Sequence, residues 1–344
     1  MKVSVIVANW NRRDLLRACL ESLENQTARE FEVIVVDNGS EDGSAEMVER
    51  EFARTRLIRN RENRGFCAAN NQGIGASQAE FIALLNNDAE ANPGWLGALL
   101  DALEGRPDCG MAASKILVWE DPGRIDKAGH LIYPDGQNRG RGSGEPDRGQ
   151  YDGIEETLWP DGCAAMYRRQ MLTEIGGFDE DLFAYADDAE LGLRARIAGW
   201  RCVYAPAAVV RHHRGATLGL RSTRRLELIE RNRVLLAAKL FPWNLLWLNP
   251  AYYLARIASG AWAAACGRGE TALYPGTTGK AAIAGALVRG DFQALAILPR
   301  MLRKRREIAR IRKLSPRQVR KLILKNGISL RELSGQSTAN DNNV

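Results

Sequence analysis

Over the first 115 residues, short apolar runs alternate with amphipathic stretches. Val3 to Ala8 is apolar and β-branched over the length of a buried strand. Asp14 to Asn25 follows, with Leu16, Leu20 and Leu23 on one helical face. Phe31 to Val36 is a second strand that runs into Asp37-Asn38-Gly39-Ser40, and Ser44 to Phe52 is helical. Arg56 to Arg59 is a short strand, and Gly65 to Ser77 a helix opening on a glycine turn. Phe81 to Leu85 is a strand ending at Asn86-Asn87-Asp88, and Pro93 starts a helix to about Leu103. This βαβα alternation predicts an α/β fold, a mostly parallel sheet flanked by helices. Right-handed crossovers bring the C-terminal ends of such strands to one edge, where ligands bind. Asn9, Asp37, Asn38, Asn87 and Asp88 all fall at that edge.

The pattern then loosens. Residues 119–157 are rich in Gly, Asp and Arg and read as a long loop, of the length usual for functional lids or binding loops. Cys163 to Arg168 is a strand, Arg169 to Ile175 and Ala186 to Ala198 are helices, and Cys202 to Val210 is a last strand entering Arg211-His212-His213. Leu240 to Ala255 carries no charge across 16 residues, short of the ~20 a spanning helix needs. Pro242 and Pro250 break it, while Trp243, Trp247, Tyr252 and Tyr253 suit a membrane interface. The alternative is a core helical hairpin packed on the body. The expected organisation is a catalytic domain over 1–225, a helical extension over 226–330 and a disordered tail over 331–344. The extension would hold an interfacial segment at 240–266 and a basic stretch at 300–325.

Charge sharpens this division. The chain of 344 residues has a net charge of +6, yet Arg300 to Lys325 holds twelve basic residues against one acid, Glu307. A slightly acidic body with a basic tail suggests an enzyme that meets phosphate-rich material. The six cysteines are widely spaced, without Cys-x-x-Cys, which argues against a zinc knuckle or a disulfide framework and fits a reducing compartment. The N-terminus opens on a strand rather than a signal-peptide pattern, so a cytoplasmic location is expected.

Four constellations carry candidate chemistry. Asp88-Ala89-Glu90 follows a strand, and two carboxylates so spaced suit a divalent cation, Mg²⁺ or Mn²⁺, bridging a diphosphate. Asp187-Asp188-Ala189-Glu190 opens a helix; three acids exceed what the helix dipole asks for, and a crowded carboxylate can act as a general base. In His212-His213-Arg214, an imidazole could complete a metal shell and Arg214 could face phosphate. Asn63-Arg64-Gly65-Phe66 with Asn70-Asn71 would let the backbone approach a ligand at Gly65. Neither Gly-x-Gly-x-x-Gly after the first strand nor a P-loop motif is present, which excludes the commonest dinucleotide and NTPase readings.

In order, "VSVIVANWN", "VVDNGSEDGS", "NRGFCAANNQGI", "LLNNDAEANPGWL", "GGFDEDLFAYADDAELGLRARIAGW" and "VVRHHRGAT" resemble family 2 glycosyltransferases. The resemblance covers Lys2 to Arg233 and lies nearest to bacterial rhamnosyltransferase-like members that build cell-surface polysaccharide. It implies a GT-A nucleotide-sugar-binding fold and an inverting transfer from a nucleotide-sugar donor, dTDP-rhamnose among the candidates, to a lipid-linked or polysaccharide acceptor. It also implies roles. Asn9 and Asp37 would hold the donor's base and ribose, with Asn63, Gly65 and Asn70 along the nucleotide and Asn38, Asn87, Glu190 and Arg214 as further substrate contacts. Asp88, Glu90 and His212 would bind metal. Asp188 would be the general base, with Asp187 beside it. Asp187 stands where the family has Glu, and Glu190 where it has Asp, which leaves the division of labour among 187, 188 and 190 open.

The rivals are a sugar-phosphate nucleotidyltransferase and a non-catalytic anionic-lipid or nucleic-acid-binding protein. The first lacks its glycine-rich, basic signature after strand one, where Ala8-Asn9-Trp10-Asn11 stands. Nucleic-acid binding lacks support because Arg300 to Lys325 has no aromatic on which bases could stack. An anionic membrane surface explains the basic stretch better, which gives a peripheral enzyme on the inner face of the plasma membrane, with a homo-oligomer left open.

Overall fold

A computed structural model describes residues 1–215, 219, 221–269 and 276–335. Eleven strands are present among them: β1 (Val3–Asn9), β2 (Phe31–Asp37), β3 (Arg56–Arg59), β4 (Phe81–Leu85), β5 (Ala89–Ala91), β6 (Cys109–Val118), β7 (Ile125–Lys127), β8 (His130–Ile132), β9 (Asn138–Gly140), β10 (Ala164–Arg168) and β11 (Arg201–His212). The main sheet has the order β3-β2-β1-β4-β10-β6-β11-β5, with β7 on β6. From β3 to β4 all pairs are parallel, and β11 is parallel to β6, but β10 lies antiparallel between β4 and β6. The sheet is thus mixed rather than mostly parallel. The insertion matters for function: β10 runs opposite to its neighbours, so its start, at Asp161-Gly162-Cys163, joins the edge formed by the ends of β1, β2, β4 and β11.

Helices α1 (Arg13–Glu24), α2 (Ser44–Glu51), α3 (Phe66–Ala76), α4 (Trp95–Leu103), α5 (Arg169–Ile175) and α6 (Asp187–Ile197) cover the sheet. In α1 the buried residues Leu16, Cys19, Leu20 and Leu23 follow the helical period and press on the core with Trp95 of α4. Segment 119–157 is not the long loop its composition suggests. It folds into β7 and the β8–β9 hairpin, and some of its polar residues, Asp126, Lys127, His130 and Ser143 among them, line a cavity.

Beyond residue 222 lie α7 (Thr223–Leu240), α8 (Trp243–Leu246), α9 (Asn249–Ala265), α10 (Gly276–Ile311), α11 (Pro316–Lys325) and α12 (Leu330–Gly335). Although α7 starts the expected extension, it is cemented into the body by buried charges. Lys239 reaches Asp179 at 2.6 Å and Glu190 at 2.7 Å, and Arg233 donates to the Asp135 carbonyl at 3.1 Å. The small residues Ala286, Gly290 and Ala294 lie one turn apart and are buried, Ala286 and Ala294 fully. They bring α10 against α7 so closely that a Cβ at Gly290 would sit 2.7 Å from the Glu227 carbonyl. Residues 331–335 belong to α12 rather than a disordered tail; 336–344 lie outside the described residues, as do Ala216 and Thr217 of the last motif.

The run from Leu240 splits its face. Leu240, Phe241 and Leu245 are fully buried, while Trp243, Trp247, Leu254 and Trp262 are largely exposed. A stronger apolar feature, missed in the sequence, is α10. It contains an 18-residue window of mean hydropathy 1.4, only 17% buried. By length and composition alone that suffices to cross a membrane. Part of the basic stretch is taken up by the body: Arg300 pairs with Asp181 at 2.9 Å, Lys304 with Asp179 and Asp181, and Lys313 with Glu174 at 2.9 Å.

Candidate active site

The sheet edge, the β7–β9 segment, the start of α6 and one face of α7 enclose a cavity of about 400 Å³, within the ~300–1,000 Å³ usual for small-ligand sites. Asn9, Asn38, Asn63, Gly65, Asn87, Asp88, Asp187, Asp188, His212 and Arg214 all line it.

At the end of β1, the Asn9 amide donates to Asp37 at 3.0 Å and accepts from Asn87 at 2.7 Å. Asp37 is buried, also accepts from the Ser40 amide at 3.1 Å, and stands behind Asn9 rather than on the cavity wall. Asn38 donates to Asn63 at 2.9 Å and to the Gly65 carbonyl at 3.2 Å. Gly65 has φ +87°, and a Cβ there would lie 2.5 Å from the Phe183 ring. Its freedom serves the close packing of that turn as well as the cavity wall.

Where β4 ends, Asp88 is buried and its Oδ1 has no hydrogen-bond partner in the structure. It faces His212 Nε2 at 3.4 Å, and the other nitrogen of that ring lies 2.8 Å from Asp126 Oδ2. A buried, orphaned carboxylate oxygen beside an imidazole held by a second carboxylate fits a divalent cation site. Burial pulls the His212 pKa down, but the neighbouring carboxylates Asp88 and Asp126 hold it well above the usual value. Arg214 is committed to Asp126 at 2.8 Å and Ser143 at 2.9 Å. His213 leaves the strand on the other side and packs on Trp119, with ring centroids 4.3 Å apart.

Besides Asp37, three expected site residues are not in the cavity. Glu90 sits mid-strand in β5, where Ala89 and Ala91 take the core face, so alternation turns its carboxylate out toward His213 at 4.0 Å. Glu190 is two residues past Asp188, a rotation of about 200° around α6, and it is buried against Arg194 and Lys239, both at 2.7 Å. Those cations hold its pKa below the usual value despite burial. Asn70 bonds back to the Phe66 carbonyl at 2.9 Å, buried within α3.

Asp187 and Asp188 open α6 with their carboxylates at the cavity. Burial raises both pKa values, that of Asp187 more strongly because Asp188 adds its charge. Asp188 Oδ2 accepts from the Gly162 amide at 3.3 Å and faces His130 Nε2 at 3.4 Å. His130 in turn meets Asp161 at 2.8 Å, and Lys127 meets the same Asp161 oxygen at 2.5 Å. His130, Asp161 and Asp188 could by spacing alone hold a cation, their ligand atoms lying within 4.8 Å of one another. The Lys127 ammonium already supplies positive charge there.

Sequence reasoning missed Asp126, Lys127, His130 and Asp161. The available signal was His130, one of only three histidines, three residues past an Asp-Lys pair. Strand β10 was legible in the hydrophobic pattern, but not its antiparallel direction, which is what brings Asp161 to the edge.

A family model described as glycosyl transferase family 2 matches residues 4–176, and one described as glycosyl transferase family group 2 matches 141–266. Among curated relatives, the uncharacterized protein y4gI of Sinorhizobium fredii is 30% identical over 240 residues, 64% of this chain; the match spans only 25% of that protein. An N-acetylglucosaminyl-diphospho-decaprenol L-rhamnosyltransferase of Mycobacterium tuberculosis is 28% identical over 236 residues, 62% of this chain and 77% of that one. Among solved structures, the mannosyltransferase PcManGT from Pyrobaculum calidifontis, in complex with GDP-Man and Mn²⁺, has a TM-score of 0.52 at 20% identity, covering 86% of this chain and 87% of that one. S. aureus TarS 1–349 has a TM-score of 0.54 at 18% identity, covering 97% and 90%. At such identities the structures speak for the fold, and that fold is GT-A.

Proposed function

The chain belongs to glycosyl transferase family 2, and from that premise we propose that it moves a sugar from a nucleoside-diphosphate donor to an acceptor hydroxyl by one inverting displacement. The observation that carries this reading is that one cavity holds both the Asp88–His212 pair and the Asp187–Asp188 pair.

The asparagine network of Asn9, Asn38, Asn63 and Asn87 offers amide donors and acceptors to the nucleotide, with Asp37 fixing Asn9. Asp88 and His212 would hold Mg²⁺ or Mn²⁺, which when bound offsets the charge growing on the departing diphosphate. The acceptor oxygen forms its bond to the anomeric carbon as the bond to the diphosphate oxygen breaks. The acceptor's proton passes to Asp188. Burial raises the affinity of that carboxylate for a proton, and the neighbouring His130 and Lys127 oppose that rise.

The finer reading is a rhamnosyltransferase-like enzyme, with dTDP-rhamnose among the donors and a lipid-linked or polysaccharide acceptor, working on the anionic cytoplasmic face of a membrane. The M. tuberculosis relative supports it, since its name gives a diphospho-decaprenol substrate. The exposed Trp243, Trp247, Leu254 and Trp262, with Phe292 and Leu295 of α10, support it as well. Purified protein incubated with a panel of nucleotide sugars should release nucleoside diphosphate from one donor, dependent on Mn²⁺ or Mg²⁺ and stopped by EDTA. Release from none, with and without lipid diphosphate acceptors, refutes the assignment.

A further inference from the structure

The chain reaches Asp187 and Asp188 through a contorted turn. Phe183, Tyr185 and Ala186 have φ of 65°, 68° and 54°, a left-handed region that side chains disfavour. Such backbone persists only where its surroundings over-determine it. What surrounds it here comes from α7. The fully buried Asn232 amide donates to the carbonyls of Leu182 at 2.9 Å, Ala184 at 2.8 Å and Tyr185 at 2.7 Å. Arg231 donates to Asn232 Oδ1 at 2.9 Å, which orients the amide with its nitrogen toward the turn. The same guanidinium donates to the Leu182 carbonyl at 2.7 Å. On the other side the Cys67 amide donates to the Phe183 carbonyl at 3.1 Å.

We propose that Asn232 is a positioning residue for the catalytic carboxylates: its amide holds the 182–186 turn in the left-handed path that presents Asp187 and Asp188 to the cavity. This rests on the reading of Asp188 as the base. A buried side chain with two N–H donors facing three carbonyls has no apolar substitute, since removing it strands those oxygens. The arrangement also gives α7 a part in the reaction.

The full-length variant Asn232→Asp keeps the shape but removes both donors and sets a carboxylate against carbonyl oxygens. The turnover number should fall 10-fold or more with nucleoside-diphosphate affinity, by calorimetry, within 2-fold of wild type. Amides of residues 183–188 should exchange with deuterium faster while those of β1 and β4 do not. If Asn232→Asp fails to fold, Asn232→Gln, whose longer amide still donates but from a displaced position, is read the same way. Unchanged exchange in the turn, or unchanged turnover with a loosened turn, overturns the proposal. Equal losses of turnover and nucleotide affinity also overturn it, since they mark a general structural role. Asp188→Asn, run in parallel, separates the two ideas: full turnover there refutes the base, while the exchange data still decide whether Asn232 holds the turn.

Discussion

His212 stands with Nδ1 2.8 Å from Asp126 and Nε2 3.4 Å from Asp88. Asp126 is fully buried, so it fixes the tautomer and tilt of the ring that faces Asp88.

Asp126→Asn should therefore weaken Mn²⁺ binding in the presence of nucleoside diphosphate by about 10–100-fold, measured by calorimetry. His213→Ala should leave it unchanged, because His213 packs on Trp119. Equal effects from the two variants would contradict the pairing.

The acid side of the pH–rate profile should titrate above ~3.9, the ordinary aspartate value, because burial raises Asp188. The apparent value belongs to the Asp187–Asp188 pair. Activity is lost as pH falls through it. His130 acts in the opposite direction, lowering the Asp188 pKa, so His130→Gln should move the acid limb to higher pH. A limb unchanged in this variant would contradict the contact.

Asp179 has its carboxyl held at about 2: burial raises it, but Lys239 and Lys304 outweigh that. Its stabilising contribution is complete above the unfolded value of ~3.9 and is lost as pH falls toward 2. Breaking one side of a buried pair costs about 3–5 kcal/mol, so Asp179→Asn should lower the thermal midpoint at pH 7 by several degrees and flatten its dependence on acid. Gly290→Leu should free α10 from α7 and show as faster exchange in both helices.

Residues at the ends of parallel strands were legible from the sequence. Asn9, Asn38, Asn87 and Asp88 follow apolar runs whose direction the βαβα alternation fixes, and all reach the cavity. Side chains beyond the strand ends were harder. Glu90 and Glu190 share motifs with cavity residues, yet strand alternation and helical rotation carry them elsewhere. Asp126 and His130 were hidden because short strands in a polar segment carry little apolar pattern, and Asp161 because an apolar run does not report that its strand is inserted antiparallel. The Asn232 contacts depend on tertiary packing between α7 and a turn some 50 residues earlier, which periodicity does not report.

Full-length protein should float with anionic vesicles at low salt and lose much of that binding at high salt, since each Lys or Arg near the surface contributes about 1 kcal/mol. Replacing Trp247 and Phe292, 83% and 68% exposed, with Ser should reduce flotation without altering nucleotide affinity. Protein that stays soluble beside such vesicles would contradict the membrane reading. Resistance to carbonate extraction would show that α10 spans.

The division of labour in the cavity is tested most directly by single-turnover transfer with Asp188→Asn, on whichever donor the wild-type enzyme uses. Turnover should drop by roughly 10²-fold or more, as for loss of a general base, while donor nucleotide affinity stays near wild type. Wild-type turnover in this variant, or a larger loss in Asp187→Asn, would contradict Asp188 as the group that takes the acceptor's proton.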